Sequence, residues 1–343
     1  MTKVKSQWKA FIEVLSTLKF VVTFLFLGLA SYILFVYLMF TSLWPLPTLY
    51  FIWMVMDWHT PERGGRRTSF VRKWRVWEHV RDFFPVKLVK TAELSPNKNY
   101  ILGYHPHGIM GAGAFTCFGT DSCGFLEVFP GVRPTLAVLA GLFRIPFFRD
   151  YIMTAGLCPV SKQSLEHLLT KSGKGNAVVI VIGGAAESLA STPEMNTVFV
   201  KQRKGFVRVA LEFGADLVPV YSFGENELFK QVIFSEGSLS RRLQDLFKNI
   251  VGFAPCLFVG EHFAILPYRI PVTTVGEYFF ILQISLICCA VHSTLKTVSS
   301  SGKTHLSPKA GYTYGGGGRP LSQSLHRGPV QVIPRAQGQL WPP

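Results

Sequence analysis

The sequence predicts an α/β protein, with an N-terminal membrane hairpin followed by a membrane-associated domain whose mixed sheet is flanked by helices. Three observations carry that expectation. From residue 20 to residue 56 no side chain is charged. Beyond about residue 98, short β-rich apolar runs ending in turn residues alternate with helix-like stretches, the pattern of a largely buried, partly parallel sheet. Finally, 48% of the 343 residues are apolar while the net charge is +15, which suits a protein held against an anionic membrane surface. Strong basicity also raises nucleic-acid binding. The hydrophobicity argues against that partner, and no zinc-finger spacing or recognition-helix pattern is present.

Residues 1–19 form a basic N-terminus with Lys3, Lys5, Lys9 and Lys19. Residues 20–56 are the membrane hairpin or a re-entrant segment. The stretch 20–40 supplies 21 residues, enough to cross ~30 Å of hydrocarbon as a helix. Trp44-Pro45-Leu46-Pro47 then interrupts a straight helix, and the remaining apolar sequence is short for a second span. Arg63, Arg66, Arg67, Arg72, Lys73 and Arg75 follow. Positive residues on both flanks place both ends in the cytosol. The apolar block is too long for a cleaved signal peptide and lacks its small-residue cleavage site. Trp53 and, in the interfacial segment 57–98, Trp58, Trp74 and Trp77 alternate with arginines and read as a belt lying on the headgroups.

Residues 99–277 carry the domain proper. Strands are expected at 100–103, 177–182 and 216–221, and helices at 161–170 and 205–213. The six cysteines lack CxxC spacing and read as buried reduced thiols. Residues 278–343 begin with a 14-residue apolar run over 278–291, shorter than a comfortable span. The tail beyond has no acidic residue, four successive glycines at 315–318, and many prolines and serines. It is expected to be disordered.

Three motifs could carry chemistry. In the first, a strand runs into His105-Pro106-His107-Gly108. An extended backbone projects residues i and i+2 to one side, and Pro106 biases His105 towards extension. The pair reads as a general base for an alcohol, as half of a metal site, or as histidines satisfying backbone groups. The second is a buried strand ending in Gly183-Gly184-Ala185-Ala186-Glu187-Ser188. Its glycines expose N–H groups suited to an oxyanion or a phosphate, and Glu187 is placed to orient an imidazole or bind a hydroxyl. An ordinary strand-to-helix turn with a first-turn acid is the alternative. The third pairs Arg203-Lys204, at the start of a helix-like stretch, with Phe223-Gly224-Glu225-Asn226-Glu227 downstream. Such cations grip phosphates or form a solvated basic face.

Taken together and in this order, HPHG, GGAAES, RKGFVRVAL and VPVYSFGENE resemble the diacylglycerol acyltransferase type 2 family, which includes monoacylglycerol and wax-alcohol acyltransferases. The likeness extends from about residue 24 to residue 256. It takes in FLFLGLAS at 24–31, similar to the family's neutral-lipid-binding pattern, together with WHTPERGGRR, FPGVRP, FRDYIM and GLCPVS. VKLVKTAEL at 86–94 looks most like the monoacylglycerol branch. The resemblance implies an integral endoplasmic-reticulum enzyme with an acyltransferase-like domain on the cytosolic side, and lipid droplets as a second location. Such an enzyme moves a fatty acyl group from acyl-CoA, its co-substrate, to the hydroxyl of a mono- or diacylglycerol or a long-chain alcohol. No metal or further cofactor is implied.

Carried over to this chain, His105 and His107 are the candidate bases and Glu187 their supporting polar group. Gly183 and Gly184 would serve the oxyanion, and Arg203 and Lys204 the CoA phosphates. Glu225, Asn226, Phe24, Leu25 and Leu27 complete the substrate-binding candidates. The resemblance also implies contact with the bilayer and assembly with itself or with related acyltransferases. Related glycerophospholipid acyltransferases place aspartate five residues after the histidine; here those positions hold Met110 and Ala112, so no local His–Asp relay is available.

Two departures stand out. The family's Tyr-Phe-Pro is here Phe83-Phe84-Pro85, and its glycine-arginine-glycine block is replaced by Val259-Gly260-Glu261-His262-Phe263. After residue 277 the family's terminal helical segment gives way to the apolar run and tail. That favours a second reading, a catalytically inactive membrane-bound paralogue that binds lipid or an active acyltransferase.

Overall fold

Apolar runs buried along most of their length set the architecture. It is seen in a computed structural model that describes residues 6–276, except 194, 196, 202, 254 and 262–264, together with Val330–Gln331. The strands are β1 (Lys87–Lys90), β2 (Tyr100–His105), β3 (Arg133–Val138), β4 (Cys158–Pro159), β5 (Asn176–Val181), β6 (Thr197–Val198), β7 (Asp216–Phe223), β8 (Lys230–Val232), β9 (Leu257–Val259), β10 (Thr273–Gly276) and β11 (Val330–Gln331). Seven of them make one sheet in the order β1-β10-β7-β2-β5-β3-β4. The strands from β7 to β4 run parallel. β10 lies antiparallel to β7, and β1 parallel to β10, so the sheet is mixed as expected. β6 with β11, and β8 with β9, form separate two-stranded pieces.

Helices cover both faces. In chain order they are α1 (Gln7–Val22), α2 (Gly28–Met39), α3 (Pro45–Met56), α4 (Ser69–Arg72), α5 (Arg75–Phe83), α6 (Ala112–Ala114), α7 (Phe125–Val128), α8 (Phe148–Thr154), α9 (Lys162–Glu166), α10 (Gly184–Ser188), α11 (Gly205–Phe213) and α12 (Leu239–Val251). Alternate residues of β2 and β5 face opposite ways. Tyr100, Leu102, Tyr104, Ala177 and Val179 join a core shared with Trp77, Phe83 and Phe118. Ile101, Val178 and Ile180 join a second core with Leu165, Phe206 and Val207. Burial on both faces explains why these strands read as unbroken apolar runs. The expected strands and the helix at 205–213 are found within two residues of their observed ends. The expected helix at 161–170 is α9, capped by the Ser161 side chain, continued by a wider-pitch turn over His167–Lys171.

The N-terminal helix starts well before the uncharged block. α1 continues through a wide turn at Thr23–Leu27 into α2, making one rod from Gln7 to Met39. Pro45 occupies the first turn of α3, where its missing N–H costs nothing, and α3 returns against α2. The charges inside α1 are docking groups: Lys9 pairs with Asp82 at 2.9 Å, and the fully buried Glu13 with Arg269 at 2.8 Å. The half of the rod beyond Val21 projects Phe26, Leu29, Ile33 and Tyr37 outward. The hairpin's base is tied down by Tyr50, whose hydroxyl donates to Asp150 at 2.5 Å, and by Arg149 beside Asp57 at 3.0 Å.

The tryptophan belt needs correction. Trp53 and Trp58 do lie at the surface, under Arg66 and Arg144 at 4.9 and 3.7 Å. Trp77 is a core residue, with its indole N–H donating to the Val71 carbonyl at 2.7 Å. Docking of α1 on α5 covers it, and Lys19 sits 4.3 Å above its ring. Phe83 and Phe84 are likewise buried, Phe83 beneath the Arg269 guanidinium at 4.5 Å. The run at 278–291 and, apart from Val330–Gln331, the tail lie outside the described residues.

Arg72 is buried and fully engaged. Its Nε donates to Asp121 at 2.8 Å, Nη1 to the carbonyls of Gly119 and Ala155, and Nη2 to those of Phe118 and Thr120. Arg72→Leu strands four carbonyls and leaves Asp121 with Arg67 at 4.0 Å, so it should destabilise the fold by ~3–5 kcal/mol. Arg72→Lys should rescue only part of that, because an ammonium cannot present the planar fork. Thermal unfolding in detergent micelles measures both.

Candidate active site

The carboxyl ends of the parallel strands converge on one edge of the sheet, where open α/β folds place their sites. β2 ends at His105, earlier than the extended run to His107 expected from sequence. The His105–Pro106 peptide is cis, and Gly108 and Gly111 adopt positive φ before α6 begins. β5, which pairs Val181 with Tyr104, runs out into Gly183, Gly184 and α10, which carries Glu187. β7 ends at Phe223, and Gly224, with φ +86°, turns the chain into Glu225.

Glu187 is the hub. It is 3% exposed. His105 Nδ1 lies 3.1 Å from Oε2, the His107 backbone N–H donates to Oε1 at 2.6 Å, and that of Phe199 donates to Oε2 at 2.9 Å. Gly183 must be glycine, since a Cβ there would run into this carboxylate. Burial pushes the Glu187 carboxyl up, but the hydrogen bond and charge of His105 and the two N–H groups outweigh it and hold it below the ordinary carboxylate value. A carboxylate only accepts, so Nδ1 is the donor in this bond, and Nε2 is the nitrogen turned away from the carboxylate. Nε2 is buried and has no hydrogen-bond partner among the described residues. An imidazole backed by a carboxylate with its far nitrogen open is equipped to take a proton.

His107 is placed differently. Its Nδ1 lies 2.6 Å from the Ser188 hydroxyl and 3.1 Å from the Gly108 carbonyl. Burial, chiefly, holds its pKa below the ordinary histidine value, so this ring is neutral at pH 7. Both histidines therefore sit at the β5–α10 turn, one on the carboxylate and one on the hydroxyl of α10.

Glu225 closes the HPHG loop from the other side. Its buried carboxylate accepts from the N–H groups of Ala112 and Gly113 at 2.7 and 2.8 Å and from the Tyr104 hydroxyl at 3.2 Å. A Cβ on Gly113 would stand 2.6 Å from the Tyr104 hydroxyl oxygen and 2.7 Å from Glu225 Oε2, so the loop needs glycine there. Burial pushes Glu225 up to about 7, although those neutral donors pull it back. Asn226 is spent on Ser191 and the Met195 carbonyl, at 2.8 Å each. Arg203, exposed, donates to the Gly183 carbonyl at 3.2 Å and so lies beside the hub, while Lys204 is exposed at the start of α11. Phe24, Leu25 and Leu27 lie on the N-terminal rod, apart from the histidine cluster; Leu25 and Leu27 pack on the core and Phe24 is exposed. Sequence reasoning gave no role to Tyr104 or the Phe199 amide, for which no local signal exists. Among the described residues no group of three or more His, Cys, Asp or Glu side chains is placed to hold a metal ion.

The profile of the diacylglycerol acyltransferase family matches residues 36–280. The chain is 55% identical to diacylglycerol O-acyltransferase 2 of Xenopus tropicalis over 80% of its own length and 78% of the relative's. It is 52% identical to diacylglycerol O-acyltransferase 2 of Homo sapiens, over 78% and 70% of the two chains. Identity to 2-acylglycerol O-acyltransferase 3 of Homo sapiens is 50%, over 80% and 82%. No solved structure matches the chain.

Glu225 makes stability depend on pH. Its ordinary value is 4.5 and its folded value about 7. Between these the unfolded chain has released a proton that the fold still holds, so stability falls as pH rises from 4.5 to 7 and then levels. The drop should approach ~3 kcal/mol. Glu225→Gln should abolish this component, as seen by comparing unfolding of the two proteins across that range.

Proposed function

The chain belongs to the diacylglycerol acyltransferase family and is an acylglycerol O-acyltransferase, and from that premise we propose that His105, oriented by Glu187, is its general base and acyl-CoA its acyl donor. The observation that carries this reading is a buried imidazole with Nδ1 on a buried carboxylate and Nε2 without a partner among the described residues. An acceptor hydroxyl at Nε2 gives up its proton as its oxygen attacks the thioester carbonyl. The tetrahedral oxyanion then collapses, the C–S bond breaks, and Nε2 returns the proton to the CoA sulfur. Glu187 stabilises the transient imidazolium without taking the proton itself.

The remaining roles extend this reading. Backbone N–H groups of the Gly183-Gly184 turn face the oxyanion, and Arg203 and Lys204 hold the CoA phosphates. The rod beyond Val21, with α3, is a membrane hairpin: its outward apolar side chains form a patch that water would not sustain. Phe24, Leu25 and Leu27 guide lipid along it. The domain, residues 99–277, works on the cytosolic face of the endoplasmic reticulum and on lipid droplets, as basic residues on both flanks of the hairpin support.

Membranes from cells lacking neutral-lipid acyltransferases, given labelled oleoyl-CoA with mono- or diacylglycerol, test the reading. His105→Ala and Glu187→Gln should each lower kcat by ~10²–10⁴-fold with KM nearly unchanged, and His107→Ala should cost less. Ester formation no higher in the parent than in His105→Ala would sink it and favour the inactive paralogue. Arg203→Ala with Lys204→Ala should instead raise KM for acyl-CoA and weaken its dependence on salt.

A further inference from the structure

Helix α12 presents its two faces the wrong way round for water. Gln244 is 6% exposed and donates to the Pro255 carbonyl at 2.9 Å. Arg241, Asp245 and Lys248 share this half-buried stripe and pair with one another, Arg241 to Asp245 at 3.4 Å and Lys248 to Asp245 at 2.6 Å. The opposite stripe is apolar and faces out. Leu239, Leu243, Leu246 and Ile250, at i, i+4, i+7 and i+11, are 72%, 57%, 55% and 75% exposed, with Phe247 beside them at 45%. A surface helix of a protein in water turns such a stripe towards its core. Such a stripe calls for an apolar neighbour.

The position agrees. Gly252, which ends α12, approaches Leu139 so closely that a Cβ would lie 3.2 Å from its Cδ1. Leu139 directly follows the carboxyl end of β3 and caps the turn Ala140–Arg144. Arg144 stacks on Trp58 at 3.7 Å, and Ile145 and Phe148 pack beside Gly28 of the rod. The carboxyl end of α12 thus lies beside the turn that packs on the hairpin's base, at the same edge of the sheet as His105. Arg242, exposed on α12, and the net charge of +15 complement anionic headgroups.

We propose that α12 lies in the plane of a glycerolipid membrane surface as a second contact beside the hairpin, its Leu239-to-Ile250 stripe in the headgroup–acyl boundary. Two contacts fix the tilt of the domain, so that the histidine edge meets acceptors dissolved in the bilayer. The inference rests on the membrane reading of the hairpin.

Full-length protein in phosphatidylcholine–phosphatidylserine vesicles, with a photoreactive side chain at one position per variant, tests it. Phe247 and, in the hairpin, Tyr37 should give lipid adducts. Lys171, exposed just before the amino end of β5, should give none. Lipid adducts at Tyr37 with none at Phe247, or with Phe247 crosslinked only to a second copy, would overturn this inference and leave the hairpin reading standing. No lipid adduct at Tyr37 would overturn both.

Discussion

The structure turns on one buried carboxylate. Glu187 collects an imidazole from the end of β2, the amide of His107 beyond it, and the amide of Phe199 after β6. Removing either side of such a buried pair leaves charge or dipoles stranded, at ~3–5 kcal/mol. The site and the stability of this edge are therefore the same interaction. The neighbouring geometry follows from it: Gly183 is the residue that leaves room for the carboxylate, and the β2–β5 pairing brings the two loops to one height.

A second buried carboxylate holds the same loop from the opposite side, and the contrast is instructive. Glu187 faces an imidazole and stays ionised. Glu225 faces only neutral donors, and burial carries it up to about 7. Environments that drive two carboxyl groups apart assign them different tasks. One backs the ring proposed as the general base; the other clasps the amides of α6 and fixes the loop that presents that ring.

Much of this was legible in the sequence, and the limits have physical causes. Period and composition sufficed for β2, β5, β7 and α11, because strands buried on both faces and an amphipathic helix write their burial into local pattern. The pairing of His105 with Glu187 spans 82 positions and depends on strand order, so the motifs alone left base, metal and structural readings open. Arg72 reads as one cation in a basic run, yet it is a buried tie to five acceptors. Trp77 reads like its surface neighbours, and only the docking of α1, through Lys9 and Glu13, encloses it. In α12 the amphipathic period was present in the sequence, but which face the protein would keep was not.

The most direct test of the central claim is the tautomer of His105, read by ¹⁵N solid-state NMR of histidine-labelled protein in lipid bilayers and assigned by comparison with His105→Ala. A carboxylate on Nδ1 predicts that the neutral ring carries its proton on Nδ1 and leaves Nε2 bare. A protonated Nε2 with a bare Nδ1 would contradict the account, because the ring would then have no lone pair to offer an acceptor hydroxyl.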